Sequence, residues 1–459
     1  MKKTLIVLAT MAMSLTVAAQ SLTPELLQTL KNSYQETAQD KAIRNAIGST
    51  DMQKLAMNQD NMNALDHHFT YRVESKGITN QKKSGRCWLF CGLNVIRADV
   101  MRRFDIKELE FSENYLFFYD QLEKSNRFLE RIIETRKLAE DDRTVQSLLK
   151  SPIGDGGDFL SVAELVNKYG VIPSNIMHET FVAENTAKYK PLIQSKLREF
   201  AIAIRDSKAK DKEVRAMKEE QLKQVYRMLT LCFGIPPTEF EWAQYGKKDT
   251  LISRETYTPK SFAAKYVRAD ITTQYIFFKN MPTRAYYKVY ETEIGNYSPE
   301  GPNWMYINLP VEEIQKMCIA SLKDSVAMYT SSDVGKCRDS ERGLLDPNIY
   351  NYDELMGVSF PMNKAERIRT FASNSTHAMA LVAVDLDKDG KPIKWLLENS
   401  WGDKSGWKGH LQLTDSWFHE YIFGVAIEKK YVPQEIQDIL NTKHVMLPYW
   451  DPVGRTMDE

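Results

Sequence analysis

The chain has 459 residues, with 61 Lys and Arg against 61 Asp and Glu, so its formal net charge near neutral pH is zero. Apolar residues make up 43% and charged residues 27%, which is the balance of a folded globular protein and excludes a disordered chain. The charge balance excludes a chain-wide field that would draw it to nucleic acid or anionic lipid, and five Cys are too few for a disulfide scaffold.

At the N-terminus, Lys2 and Lys3 precede an apolar stretch from Leu5 to Val17, and Val17-Ala18-Ala19 follows with small residues. That order reads as a secretory signal over residues 1–19, with cleavage expected before Gln20 and a periplasmic or secreted product. The stretch is too short to span a bilayer, and no later run of about 18 apolar residues exists, so no membrane span is expected. Residues 20–75 read as an N-terminal helical segment. Thr23-Pro24-Glu25 supplies a hydroxyl cap, a first-turn proline and an acid at the positive helix end, before Leu26, Leu27, Leu30 and Tyr34 at helical spacing.

A second helix is expected to open at Cys87, where Leu89, Phe90, Leu93, Val95, Ile96, Val100 and Met101 give a broad apolar face. Residues 107–150 and 185–232 are helix-rich. After about residue 300 the pattern changes to strands: Asn303–Leu309, Ser325–Thr330, Ala378–Leu386, Ile393–Leu397, His410–Leu413 and Ile422–Glu428. The expected architecture is therefore α+β. Residues 76–300 form a helical half with helical insertions and 301–430 a mainly antiparallel β half, with a cleft between them; 431–459 form a C-terminal helix and tail.

Two formal motifs carry no function. Asp385-Leu386-Asp387-Lys388-Asp389-Gly390 copies the start of a calcium loop, but its twelfth position is Leu396 instead of a bidentate Glu, so a hairpin turn is expected. Asn374-Ser375-Thr376 is a glycosylation sequon next to a residue with a better use. Cys232, Cys318 and Cys337 lack metal-ligand spacing, Cys91 reads as packing, and neither a metal nor a cofactor is expected.

The chemistry sits in three short runs: Asn80-Gln81-Lys82-Lys83-Ser84-Gly85-Arg86-Cys87-Trp88, Asn374-Ser375-Thr376-His377-Ala378 and Glu398-Asn399-Ser400-Trp401-Gly402. Cys87 at a helix start faces unpaired backbone N–H groups and the positive dipole end, which favours thiolate. His377 opens a strand, a rigid place for an imidazole. Asn399 ends the neighbouring strand, where its amide can orient the ring. Gln81 can aim an amide N–H at a developing oxyanion, and Trp401 can shield the His–Asn hydrogen bond. Gly156 and Gly157, in the run Gly154-Asp155-Gly156-Gly157, are expected to line the cleft wall where substrate backbone approaches.

This arrangement resembles the papain-like cysteine peptidases, in which a thiol followed by an aromatic residue precedes distant His and Asn residues. Cys87 and His377 are 290 positions apart, against roughly 130–150 in papain, so a large insertion is implied. With Ser332-Asp333-Val334-Gly335-Lys336, Met362-Asn363-Lys364-Ala365-Glu366-Arg367 and Leu447-Pro448-Tyr449-Trp450-Asp451-Pro452, the chain is similar to the bleomycin hydrolase and aminopeptidase C family.

The resemblance implies a papain core with a helical insertion, a homohexamer and removal of single residues from peptide N-termini. It also implies a tail that folds back into the active-site cleft to present its terminal carboxylate, here that of Glu459, to the substrate's ammonium. The tail departs from the family, ending in Arg455-Thr456-Met457-Asp458-Glu459 instead of small apolar residues.

The resulting expectation is an exported cysteine aminopeptidase acting on peptide substrates, with Cys87 as nucleophile, His377 as base and acid, Asn399 orienting the ring and Gln81 stabilising the oxyanion. The alternatives are an endopeptidase using the same triad and a non-enzymatic nucleic-acid-binding or scaffold protein. A transglutaminase-type acyl transferase fits less well, because its third member is typically Asp.

Overall fold

The computed structural model describes residues 21–451, apart from 62–65, 75–76, 105, 247, 269, 294 and 299–300. The expected signal segment and Glu459 lie outside the described residues. The chain divides into two compact units. The smaller joins the residues up to Met57 with Asn351–Val358. Its helices start as their sequences dictate. Pro24–Ser33 opens on Thr23, whose hydroxyl accepts the Leu26 N–H, and Ala38–Ile47 opens on a reciprocal capping box between Thr37 and Asp40.

The larger unit is built on a sheet of 12 strands among the described residues. Its centre runs Tyr275–Lys279, Ile422–Glu428, Met328–Ser332, His377–Leu386, Pro392–Glu398 and His410–Thr414, each antiparallel to the next. His377–Leu386 is buried at its first eight positions, which is why it reads His-Ala-Met-Ala-Leu-Val-Ala-Val with little alternation. The helix Cys87–Phe104 packs on this strand and buries 14 residues around nearly its whole circumference. A second helical layer gathers on Glu113–Thr135, against which Phe159–Tyr169, Tyr189–Asp206 and Asp211–Phe233 pack. Asp211–Phe233 buries Val214, Gln221, Val225, Leu229 and Phe233, a single stripe at helical spacing. None of the described helices is long and apolar enough to cross a membrane.

The division at residue 300 is less clean than the sequence suggests. Tyr275–Lys279 and Lys288–Thr292 belong to the main sheet, and Phe240–Tyr245 pairs with Leu251–Tyr257 in a separate hairpin. The helical half thus donates strands to the β half. Three pairings are parallel (Phe278 with Ile307, Gln412 with Leu344, Met446 with Glu291), and the β half contains the helix Val311–Lys323. The expected C-terminal helix is only Gln434–Gln437, followed by a 3-10 turn and the edge strand Val445–Leu447. Asp385–Lys391 is a hairpin turn: Asp387 Oδ1 accepts the N–H groups of Asp389 and Lys391, and Gly390 takes the positive φ that the turn needs.

Candidate active site

The loop before Cys87 is fixed from both sides. Asn80 bridges Trp401 in antiparallel fashion, Gln81 N–H donates to the Ser400 carbonyl at 2.9 Å, and Gly402 N–H donates to the Thr79 carbonyl at 3.1 Å. This short ladder ties the segment before Cys87 to the loop after Asn399. Gly402 has φ +82°, and a Cβ there would meet the Asn80 amide at 2.7 Å, so both the backbone and the space call for glycine. Nearer the thiol, Gly85 N–H donates to Asp155 at 2.9 Å, and a Cβ on Gly85 would stand 2.7 Å from that carboxylate. Burial raises the Asp155 pKa, but the Thr186 hydroxyl and the Gly85 N–H outweigh it, so the carboxylate is held below its usual range.

Arg86 is fully buried. Its guanidinium grips Glu179 at 3.0 and 2.7 Å, donates to Ser84 Oγ, and lies over the rings of Phe90 and Phe117. Trp88 is also fully buried and donates its indole N–H to the Asp155 carbonyl. The two residues flanking Cys87 are therefore anchors, and the helix starts where they place it.

Strand register sets the other side of the site. Ala380 pairs with Glu398, so Asn399 follows on the face that carries His377. His377 Nε2 lies 2.8 Å from Asn399 Oδ1, which also accepts the Ser400 N–H at 2.8 Å. The second contact identifies that atom as the amide oxygen, so Nε2 carries the ring proton and Nδ1 is the basic nitrogen. The Trp401 ring lies over the imidazole, tilted by 30° with 4.7 Å between centroids. The Gln81 amide is locked: its oxygen accepts the Ser400 hydroxyl at 2.7 Å, and one N–H donates to the Ser84 carbonyl at 2.7 Å. Among the described residues its second N–H has no hydrogen-bond partner.

Cys87, His377, Gln81, Gly156, Gly157 and Trp401 line one cavity of about 340 Å³. Asn399 stands behind His377, almost fully buried. Two expectations change in detail. First, Gly157 serves the core: a Cβ there would strike the Trp88 ring at 2.6 Å. The Gly154 and Gly156 carbonyls accept the ammonium of buried Lys124, which is itself paired with Asp120. The glycine run is thus shaped by Trp88 and Lys124 as well as by its place on the cavity wall. Second, the thiol is not acidified. Burial pushes Cys87 up to about 11, against the pull of the N–H groups of Ala378, Trp88 and Cys87 itself. Burial likewise holds the His377 imidazole at about 4, although Asn399 pulls it upward; Arg338 adds to the lowering. The helix-end effect is present but smaller than desolvation.

Sequence reasoning missed Ser400, Asp155, Lys124, Glu179 and Arg338. Ser400 and Asp155 lay inside quoted runs, but nothing local marked their partners. Glu179 and Arg338 act across the fold and left no local signal. Among the described residues no cluster of three or more His, Cys, Asp or Glu side chains is arranged to hold a metal ion.

A family model described as the peptidase C1-like family matches residues 21–454. Human bleomycin hydrolase is 38% identical over 422 residues, covering 89% of this chain and 93% of the relative. Aminopeptidase C of Streptococcus thermophilus is 35% identical over 439 residues, covering 95% and 98%. The crystal structure of PepW from Lactobacillus rhamnosis superposes with a TM-score of 0.91 at 35% identity, covering 95% of this chain and 99% of that one. The fold is that of the papain-like cysteine peptidases, with a large helical insertion. The chain belongs to the peptidase C1-like family and is a cysteine peptidase.

Proposed function

We propose that this protein is a cysteine aminopeptidase that removes N-terminal residues from peptides. The observation that carries the mechanism is the Nε2 to Asn399 hydrogen bond, which leaves Nδ1 basic in the cavity that also holds Cys87 and Gln81. A buried thiol and a buried imidazole each resist becoming a lone charge. A proton passed from Sγ to Nδ1 creates both charges together, so their attraction offsets much of the desolvation.

The sulfur then bonds to the scissile carbonyl carbon, and the oxyanion meets the free Gln81 N–H and the Cys87 backbone N–H. Nδ1–H returns its proton to the leaving amine, the C–N bond breaks, and a thioester remains. Water attacks the thioester after losing its proton to the same nitrogen, releasing the acid and restoring the thiol.

The exopeptidase preference is supported by the relatives named aminopeptidase C, E and G. The test is mass spectrometry of the products from a defined decapeptide with a free or acetylated N-terminus. Stepwise single-residue loss from the free peptide alone is expected, and it should vanish in Cys87→Ala. Internal cleavage of the acetylated peptide would reassign the protein as an endopeptidase. We also propose export by residues 1–19, on their signal-like order, and assembly as a homohexamer, on the family resemblance. A mature N-terminus at Gln20 in a periplasmic fraction tests the first, and sedimentation mass the second.

A further inference from the structure

Arg338 lies on the two-residue strand Arg338–Asp339, paired with Leu344–Leu345 at the edge of the main sheet. Its backbone is held from outside that strand, since the Tyr350 hydroxyl donates to its carbonyl at 2.7 Å. The half-buried guanidinium lies over the Trp401 ring, 4.9 Å from the centroid. Trp401 in turn covers the His377 imidazole, its ring tilted by 30° at 4.7 Å between centroids. Among the described residues no carboxylate pairs with this guanidinium and no hydrogen bond binds it, whereas Arg86, Arg97, Arg268 and Arg284 in the same unit all have acidic partners. An unneutralised cation on an aromatic plate, one ring away from the catalytic base, has consequences for that base.

We propose that Arg338 is a positioning residue of the active site: it presses the Trp401 ring onto His377 by a cation–π contact and sets a fixed positive charge beside the imidazole. A guanidinium stays charged throughout the working pH range, and an indole face attracts it while also shedding water. The charge disfavours imidazolium and favours thiolate, so it lowers the titration of both partners of the pair. Besides Arg338, the titratable groups acting on the pair are Asp155 and, on the thiol, the buried Cys91 and Tyr329. Asn399 Oδ1 acts on the ring, and the Asp155 carboxylate raises the thiol. The Tyr350 hydroxyl faces Arg338 itself. Thr376, Ser84 and Gln81, which line the same cavity, are neutral. Burial and the neighbouring Arg338 charge both hold His377 low, in agreement with this arrangement.

The inference rests on the reading of Cys87 and His377 as the reacting pair, and the experiment separates the two. The rate of Cys87 alkylation by iodoacetamide is measured against pH in the full chain, with peptide mapping to distinguish Cys87 from the other cysteines. The same series is run on Arg338→Met and Arg338→Lys, alongside the pH profile of kcat/KM on an uncharged aminoacyl amide. The expected result is that Arg338→Met moves both limbs of each profile upward by about 0.5–1 pH unit, as for a charge acting across one ring in a half-buried site. Arg338→Lys is expected to bring them back, because it restores the charge. A purely structural role would reduce amplitude without displacing both limbs in the same direction. Unmoved limbs in a folded Arg338→Met protein, or limbs still displaced in Arg338→Lys, overturn the proposal. A wild-type Cys87 with no pH-dependent alkylation would instead overturn the nucleophile assignment beneath it.

Discussion

Removing the Cys87 thiol isolates the His377 imidazole and exposes what burial does to it. In Cys87→Ala the His377 ring has no sulfur to exchange a proton with, and its surroundings hold its pKa at about 4 against an ordinary 6.5. The folded value lies below the unfolded one, so the unfolded chain binds the proton first. The stabilisation is therefore fully present above about pH 6.5 and drains away as pH falls toward 4. The whole gap corresponds to about 3 kcal/mol, of which about 2 kcal/mol is lost between pH 7 and pH 5. Urea unfolding of Cys87→Ala and of Cys87→Ala with His377→Gln, at both pH values, measures the difference. The single variant should lose about 2 kcal/mol more than the double variant on acidification. Carbon-13 labelling at histidine Cε1 reads the titration directly. A His377 resonance titrating at the ordinary histidine value, or equal acid sensitivity of the two variants, would refute the argument that desolvation governs this pair.

Gly157→Ala places a methyl 2.6 Å from the ring of a fully buried Trp88 that is also tied to the Asp155 carbonyl. A loss of about 1–3 kcal/mol in the urea midpoint is expected, and a neutral outcome would show that the wall can yield. Arg86→Met breaks a buried bidentate pair whose Glu179 end retains some exposure. The expected loss is about 3 kcal/mol by the same assay, and Arg86→Lys should recover little of it because an ammonium cannot fork. Gln81→Ala removes the locked amide and should lower kcat by about 10²–10³ with KM nearly unchanged, measured on the aminoacyl amide. A change confined to KM would move Gln81 from oxyanion stabilisation to ground-state binding.

That Cys87, His377 and Asn399 come together was legible because each is bound to a local pattern: a glycine and an aromatic residue around Cys87, an apolar strand opening on His377, and the Asn399-Ser400-Trp401 run. The Asp385–Lys391 turn was legible for the same reason, since turn residues act within a few positions. What stayed hidden acts at a distance. The strands Tyr275–Lys279 and Lys288–Thr292 acquire their identity from partners near residues 305–308 and 422–428, which no window around them contains. The raised thiol pKa was hidden because a helix end is a local feature, whereas burial is decided by the whole sheet lying over it. Arg338 and Glu179 meet their partners 63 and 93 positions away, and an isolated arginine or glutamate in a sequence reads as surface.

The long separation between Cys87 and His377 is compatible with a tightly fixed site. Closing a flexible loop scales with the logarithm of its length, so doubling the interval relative to a minimal papain core costs about 0.6 kcal/mol. The short ladder joining Thr79–Gln81 to Ser400–Gly402 supplies backbone hydrogen bonds that set the register of the two halves of the site directly. Arg97 on the Cys87 helix adds a buried ion pair to Glu398, the residue before Asn399, at 3.2 Å. Each of these contacts joins segments more than 300 positions apart, and none passes through the intervening helices. These contacts join the two halves of the site directly, while Arg86 to Glu179 and Gly85 to Asp155 bind the segment before Cys87 to the intervening chain, so changes in that chain reach the thiol through those two anchors.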